Sequence, residues 1–154
     1  MLSIQAYSPE YSHAVAELFT ATVHAIDEQL YSAEQKLAWA PLPINYELWR
    51  QRLRPERCYL ALLNQQLAGF IELEGDYIDC FYVAPHYQGQ QVGLQLYQHI
   101  EAVARQRQLP SLRVDASLVA KAFFLKQGYE LVSRNQVERN GQVLSNFTLQ
   151  KHLF

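Results

Sequence analysis

Apolar and polar positions along the chain change period twice, and the changes divide it into elements. Leu2 to Tyr7 alternates as a half-buried strand does, and Ser8-Pro9-Glu10 follows with a cap-type residue and a proline at an early helical position. Val15, Leu18, Phe19, Val23 and Ile26 recur at three- and four-residue steps, which predicts one apolar helix face ending near Asp27. Ser32-Ala33-Glu34-Gln35 has the form of a capping box for a short second helix. Pro41 and Pro43 end it, and a further helical run opens around Tyr46 to Leu53.

From residue 58 the period falls to that of strands. CYLALLN (58–64) and LAGFIELE (67–74) flank the polar turn Asn64-Gln65-Gln66 and predict a hairpin. Another strand is predicted from Tyr77 to Ala84, where Pro85 stops it. From Val92 the apolar residues Leu96, Ile100 and Val103 return to one helical stripe that runs to about Arg107. A short strand (Ser111 to Asp115) and a short helix (Val119 to Gln127) follow, with Gly128 placed as a left-handed cap. Tyr129 to Glu138 and Val143 to Gln150 flank Asn140-Gly141, the strongest hairpin signal in the chain. The predicted order is β-α-α-β-β-β-α-β-α-β-β, a mixed α/β sheet.

Composition narrows the function classes. The 154 residues are 49% hydrophobic and 18% charged, enough for one core, so residues 1–154 are read as a single domain. A formal net charge of −2 gives no bulk attraction to nucleic acid or to an anionic membrane. No signal peptide or membrane-length apolar run is visible, and a cytoplasmic protein is expected. Cys58 and Cys80 lie in no metal-ligand spacing, and His24, His86 and His99 are scattered, so no metal site is predicted and both thiols are expected to be free.

Chemistry concentrates in IDCFYVAPHYQGQQVGLQLYQHIE, from Ile78 to Glu101: a buried strand, a turn with two glycines, then an amphipathic helix. Unpaired N–H groups and the positive end of the dipole at a helix start suit an anion, and Gly89 and Gly93 allow close approach. The stretch matches neither GxxxxGK[ST] nor GxGxxG with its distal acidic residue, which disfavours an ATPase or a nicotinamide enzyme.

Gln88-Gly89-Gln90-Gln91-Val92-Gly93, preceded by FYVAPHY, resembles the signature loop of the GCN5-related N-acetyltransferase (GNAT) superfamily. SLVAKAFFLKQGYE (117–130) is similar to that family's later helix, and the element order agrees, so the resemblance covers nearly the whole chain. LYSAEQKLAWAP, VDAS and RNGQVLSNFTL further resemble a YafP-like branch of small bacterial acetyltransferases. The resemblance implies acetyl-CoA as co-substrate, bound where two parallel strands splay apart. The backbone of Phe81, Tyr82 and Val83 would pair with the pantetheine arm. Gln88, Gly89, Gln90, Gln91, Val92 and Gly93 would hold the pyrophosphate, and Ser117 and Phe124 would contact the cofactor. It implies acetyl transfer to a primary amine of a small molecule or an exposed amino group of a protein, by direct attack in a ternary complex. Polarisation of the thioester oxygen would come from an N–H of the 81–83 strand. A homodimer is compatible with it.

The chain departs from the family at two positions. Gln91 stands where the signature has its central glycine, and a right-handed backbone with weaker cofactor affinity is expected there. Phe124 stands where many members carry a tyrosine thought to protonate the departing thiolate. These departures keep open a non-catalytic acyl-CoA sensing module of the same fold. A tRNA acetyltransferase is disfavoured by the charge.

Removing the amine proton needs a base. Asp79, in an apolar strand two residues before the expected cofactor edge, is the first candidate, with pairing to backbone or an arginine as its structural alternative. Asp115, at the end of the neighbouring strand, is the second, although VDAS before a helix also suits a cap. Cys80 is expected on the opposite strand face from Asp79, as a small core residue. Tyr31, Trp39 and Trp49 are candidates for an aromatic acceptor wall or for core. His24 is a candidate for the substrate pocket. His99, and Arg50, Arg52, Arg54 and Arg57, are expected on solvated faces.

Overall fold

The computed structural model describes residues 1–154. Seven strands form one mixed sheet in the order β1-β2-β3-β4-β5-β7-β6. They are β1 (Leu2–Ala6), β2 (Cys58–Leu63), β3 (Gln66–Glu74), β4 (Tyr77–Val83), β5 (Ser111–Ser117), β6 (Glu130–Arg139) and β7 (Gln142–His152). The helices are α1 (Ser12–His24), α2 (Ala33–Trp39), α3 (Tyr46–Arg52), α4 (Val92–Gln106) and α5 (Lys121–Lys126). Three helices precede β2 where the predicted order counted two, because the run after Pro43 is a helix of its own, capped by Asn45 through Leu48 N–H to Oδ1 at 3.1 Å.

Local signals account for most boundaries. The capping box at Ser32 forms as predicted, with Gln35 N–H to Ser32 Oγ at 3.1 Å and Ser32 N–H to Gln35 Oε1 at 2.8 Å. Asn140 and Gly141 take φ of +49° and +82° in the β6–β7 turn. α1 starts only after a 3₁₀ turn at Pro9–Tyr11 and stops at His24, three residues early. Beyond it the buried Lys36 ammonium donates to the carbonyls of His24 (3.2 Å) and Ile26 (2.7 Å). β5 runs two residues past Asp115, because Ala116 and Ser117 pair with Phe147 and Asn146 of β7.

Both sheet faces are covered. α4 lays Leu96, Tyr97, Ile100 and Ala104 against Ile71, Leu73, Ile78 and Leu112, with Phe124 and Tyr129 joining the same core. Full burial of Leu96 and Ile100 stabilises the packing by roughly 1.5–3 kcal/mol each. Close packing needs Gly69: a Cβ there would sit 2.8 Å from Tyr82 O and 3.1 Å from Leu96 Cδ1. The opposite face packs Val15, Leu18, Phe19 and Val23 of α1 against Leu60, Phe70 and Cys80. His99 departs from expectation: its ring packs against Tyr59 (4.6 Å between centroids), half-buried, and burial lowers its pKa.

Candidate active site

β4 and β5 are the only parallel neighbours, and they pair at two positions, Tyr77 with Arg113 and Ile78 with Val114. Beyond these the strands separate. The cause is visible in the register with β3: Glu72 faces Cys80 while Leu73 faces Ile78, so Asp79 is one residue extra on β4, a β-bulge. The bulge bends β4 away and leaves its edge from Asp79 to Val83 unpaired toward β5. It also resets the side-chain alternation, so Asp79 and Cys80 are not on opposite faces as strict period-two reading requires. One nitrogen of Arg52 lies 3.0 Å from Asp79 Oδ2 and 2.9 Å from Cys80 Sγ.

The gap opens into a cleft of about 580 Å³. Phe19, Tyr31, Trp39, Trp49 and Tyr82 wall one side, and Asp79, Asp115, Ser117 and Phe124 lie along the strands. The three aromatics singled out in the helical front third of the chain, Tyr31 before α2, Trp39 in α2 and Trp49 in α3, therefore reach the site. His24 does not: its Nε2 lies 2.8 Å from Ala40 O behind the wall.

Residues 88–93 form the turn into α4 and do not themselves line this cleft; Gly93 connects the turn to it through Phe81. Gly89 has φ +83°, and a Cβ built there meets nothing within 4 Å. Gln91 has φ +65° and ψ +14°, so it is left-handed and not right-handed as expected. The turn into α4 demands that shape, and glutamine adopts it at a cost of about 1–2 kcal/mol. As a result none of the backbone N–H groups from Gly89 to Leu94 donates within the protein; the first to do so is Gln95, to Gln91 O at 3.1 Å. Gly93 lies over Phe81 and Val83, whose side chains turn toward α4 while Tyr82 faces the aromatic wall. Open space at Gly89, outward N–H groups and the free β4 edge fit a phosphate-bearing, extended ligand.

The two carboxylates have different surroundings. Asp79 Oδ2 accepts from Arg52, and its Oδ1 has no donor within the protein. Asp115 has both oxygens engaged, Oδ1 by Thr148 Oγ1 at 2.6 Å and Oδ2 by the Tyr77 hydroxyl at 3.2 Å. It sits inside β5 and caps no helix; Ser117 Oγ serves the following turn instead, accepting from Ala120 N–H at 3.2 Å. Burial, then the charges of Asp115 and Asp79, push the Tyr77 phenol up to about 12.

Sequence reasoning missed Glu72. It is buried on β3 opposite Cys80, and its Oε1 lies 2.8 Å from Arg52 in an ion pair. Burial raises its pKa, against the opposing charge of Arg52. Burial likewise pushes the Cys80 thiol well up. Arg52 thus leaves the solvated face assigned to it, and Arg57 follows, 3.2 Å from Glu74. The signal was a Glu among six buried positions of β3, which needs a cationic partner nearby.

Phe124 is buried among Phe81, Phe123 and Tyr129 and carries no proton to give. Two phenols packed against its ring, Tyr97 and Tyr129, hydrogen-bond to each other at 3.2 Å in the core. Tyr31, also buried, ties the cleft together: its hydroxyl donates to Ser145 O (2.7 Å) and accepts from Leu118 N–H (2.9 Å). Tyr31→Phe is expected to lower stability by about 1–3 kcal/mol, read from denaturant midpoints at constant slope, because both partners lose their bond in a half-buried place.

No group of His, Cys, Asp and Glu side chains has the geometry of a metal site, and no helix is long and apolar enough to cross a membrane. The family model described as an acetyltransferase (GNAT) domain matches residues 26–151. The uncharacterized N-acetyltransferase YafP of Escherichia coli K12 is 30% identical over 149 residues, covering 97% of this chain and 95% of that one. A GCN5-related N-acetyltransferase structure from Rhodopseudomonas palustris superposes with a TM-score of 0.92 at 37% identity, over 98% of this chain and 95% of that one. The PaiA N-acetyltransferase of Thermoplasma acidophilum, solved with coenzyme A, shares the fold at a TM-score of 0.77 and 18% identity, over 99% of both chains. Splayed strands, signature loop and relatives agree, and the chain belongs to the GNAT acetyltransferase family.

Proposed function

We propose that the chain is an acetyl-CoA-dependent N-acetyltransferase that modifies a primary amine of a small molecule or an exposed amino group by direct attack in a ternary complex. The observation that carries this reading is the bulge at Asp79, which opens the sheet beside a run of unpaired N–H groups and sets a carboxylate at the opening. Acetyl-CoA supplies an acetyl group already activated as a thioester. The unpaired N–H groups from Gly89 onward and the α4 dipole hold its pyrophosphate, with Gln88 alongside, and the free edge at Phe81, Tyr82 and Val83 pairs with its amide-bearing arm. Ser117 and Phe124 line the inner end. Asp79 Oδ1 takes the proton of the acceptor amine, since Asp115 already accepts two hydrogen bonds. N–H groups fixed along β4 face the position where negative charge develops on an oxygen. Direct attack is favoured because Cys80, buried with a raised pKa, makes a poor nucleophile.

One observation favours a second reading, an acyl-CoA sensing module: Phe124 removes the hydroxyl that many relatives use as an acid. Calorimetric titration with acetyl-CoA, with ATP and NAD as controls, followed by free-thiol release in an amine pool, separates the two. Saturable binding with amine-dependent release supports the enzyme. Binding without release under any amine supports the sensor, and no binding refutes both.

A further inference from the structure

Two arginines line the cleft, and only one is matched within the protein. Arg52 is held by Glu72 and Asp79. Arg139, at the solvent-exposed end of β6, makes neither a salt bridge nor a side-chain hydrogen bond, and of the arginines without an ion-pair partner it is the one that lines the cleft.

Arg139 is carried on a fixed support. The hairpin tip beside it is tied to the front helices by Asn140 Nδ2 to Ala38 O (2.8 Å), Gln35 Nε2 to Val143 O (2.9 Å) and the Tyr31 hydroxyl to Ser145 O (2.7 Å). Arg139 therefore lines the cleft together with Tyr31, Trp39 and Tyr82, from a hairpin that these bonds hold against the front of the molecule. Its charge acts on the Tyr82 hydroxyl, which burial keeps protonated as a donor.

The cleft thus carries Asp79 and Asp115 on its strands, aromatic rings in its wall and an unpaired guanidinium from the hairpin. A purely cationic acceptor would meet like charge at Arg139, whereas a carboxylate would meet a planar fork of donors beside low-dielectric walls. We propose that the acetyl acceptor is a small amine with a flat apolar body and a carboxylate, and that Arg139 selects it by binding that carboxylate. This deepens the acetyltransferase reading and rests on it.

Trp39 and Trp49 are the only tryptophans, and both line the cleft, so their fluorescence reports acceptor binding without transfer. The full chain, saturated with coenzyme A, is titrated with phenylalanine, 4-aminophenylacetate and phenethylamine. At least one of the two carboxylate-bearing amines is expected to bind about tenfold or more tighter than phenethylamine, as a charge-assisted pair should. Arg139→Gln removes that preference and Arg139→Lys restores part of it. In turnover with acetyl-CoA, the loss in Arg139→Gln is carried by KM rather than kcat. Equal or tighter binding of phenethylamine, a preference that survives Arg139→Gln, or no quenching by any of the three overturns the proposal. Quenching with the expected preference but no transfer to any amine refutes the acetyltransferase reading and leaves the Arg139 site standing.

Discussion

Gly89→Glu is expected to weaken acetyl-CoA binding by about 100-fold or more, close to 3 kcal/mol, in a protein that remains folded. Gly89 points a hypothetical Cβ into open space, so no clash threatens the core. Its φ of +83° adds a backbone cost of about 1–2 kcal/mol for any L side chain. The carboxylate would lie beside the N–H groups of residues 89–94, repel a pyrophosphate and occupy its donors. Gly89→Ala carries the same backbone cost without the charge, so the difference between the two variants isolates the electrostatic part. Calorimetry of both, with circular dichroism to verify folding, makes the measurement. Affinity unchanged in a folded Glu variant would remove residues 88–93 from the site.

The second large effect is expected at Asp79. Asp79→Asn should lower kcat by about 10²–10⁴ with acetyl-CoA affinity held within about twofold, the loss typical of a missing general base. Arg52 keeps its buried partner Glu72 in this variant, so no guanidinium is stranded and the fold is retained. The acidic limb of the kcat/KM profile reports a base that must be deprotonated to act, so activity that fell with acid in the parent should become flat in the variant. Retention of full activity with an intact acidic limb would move the base elsewhere, and Asp115→Asn would then be the variant to measure.

Elements with a strong local cause were legible in the sequence: the Ser32 box, the Asn140-Gly141 turn, the α4 stripe and the loop into it. The aromatics Tyr31, Trp39 and Trp49 and the carboxylates Asp79 and Asp115 do reach one cleft. What escaped depends on distant parts of the chain. Cys80 was placed by strict alternation, which the bulge at Asp79 breaks, and a bulge is defined by the partner strand and not by β4 itself. Arg52 reads as solvated because Arg50, Arg52, Arg54 and Arg57 alternate in a way that a helix spreads around its surface, while Glu72, twenty positions on, draws it inward. Gln91 was assigned the conformation its side chain prefers, but the turn into α4 imposes the other. Asp115 resembled a cap only as long as the pairing of β5 with β7 was unseen.

The early parting of β4 from β5 gives this sheet an unusual economy. Most edge strands lie at the margins, where solvent satisfies them or another chain adds to them. Here a pair of edges lies in the interior, and on the proposed reading an extended amide-bearing ligand along the free edge of β4 would take the role of an eighth strand. Ligand capture and completion of the architecture would then be one event, and occupancy is expected to brace the two halves of the sheet against each other.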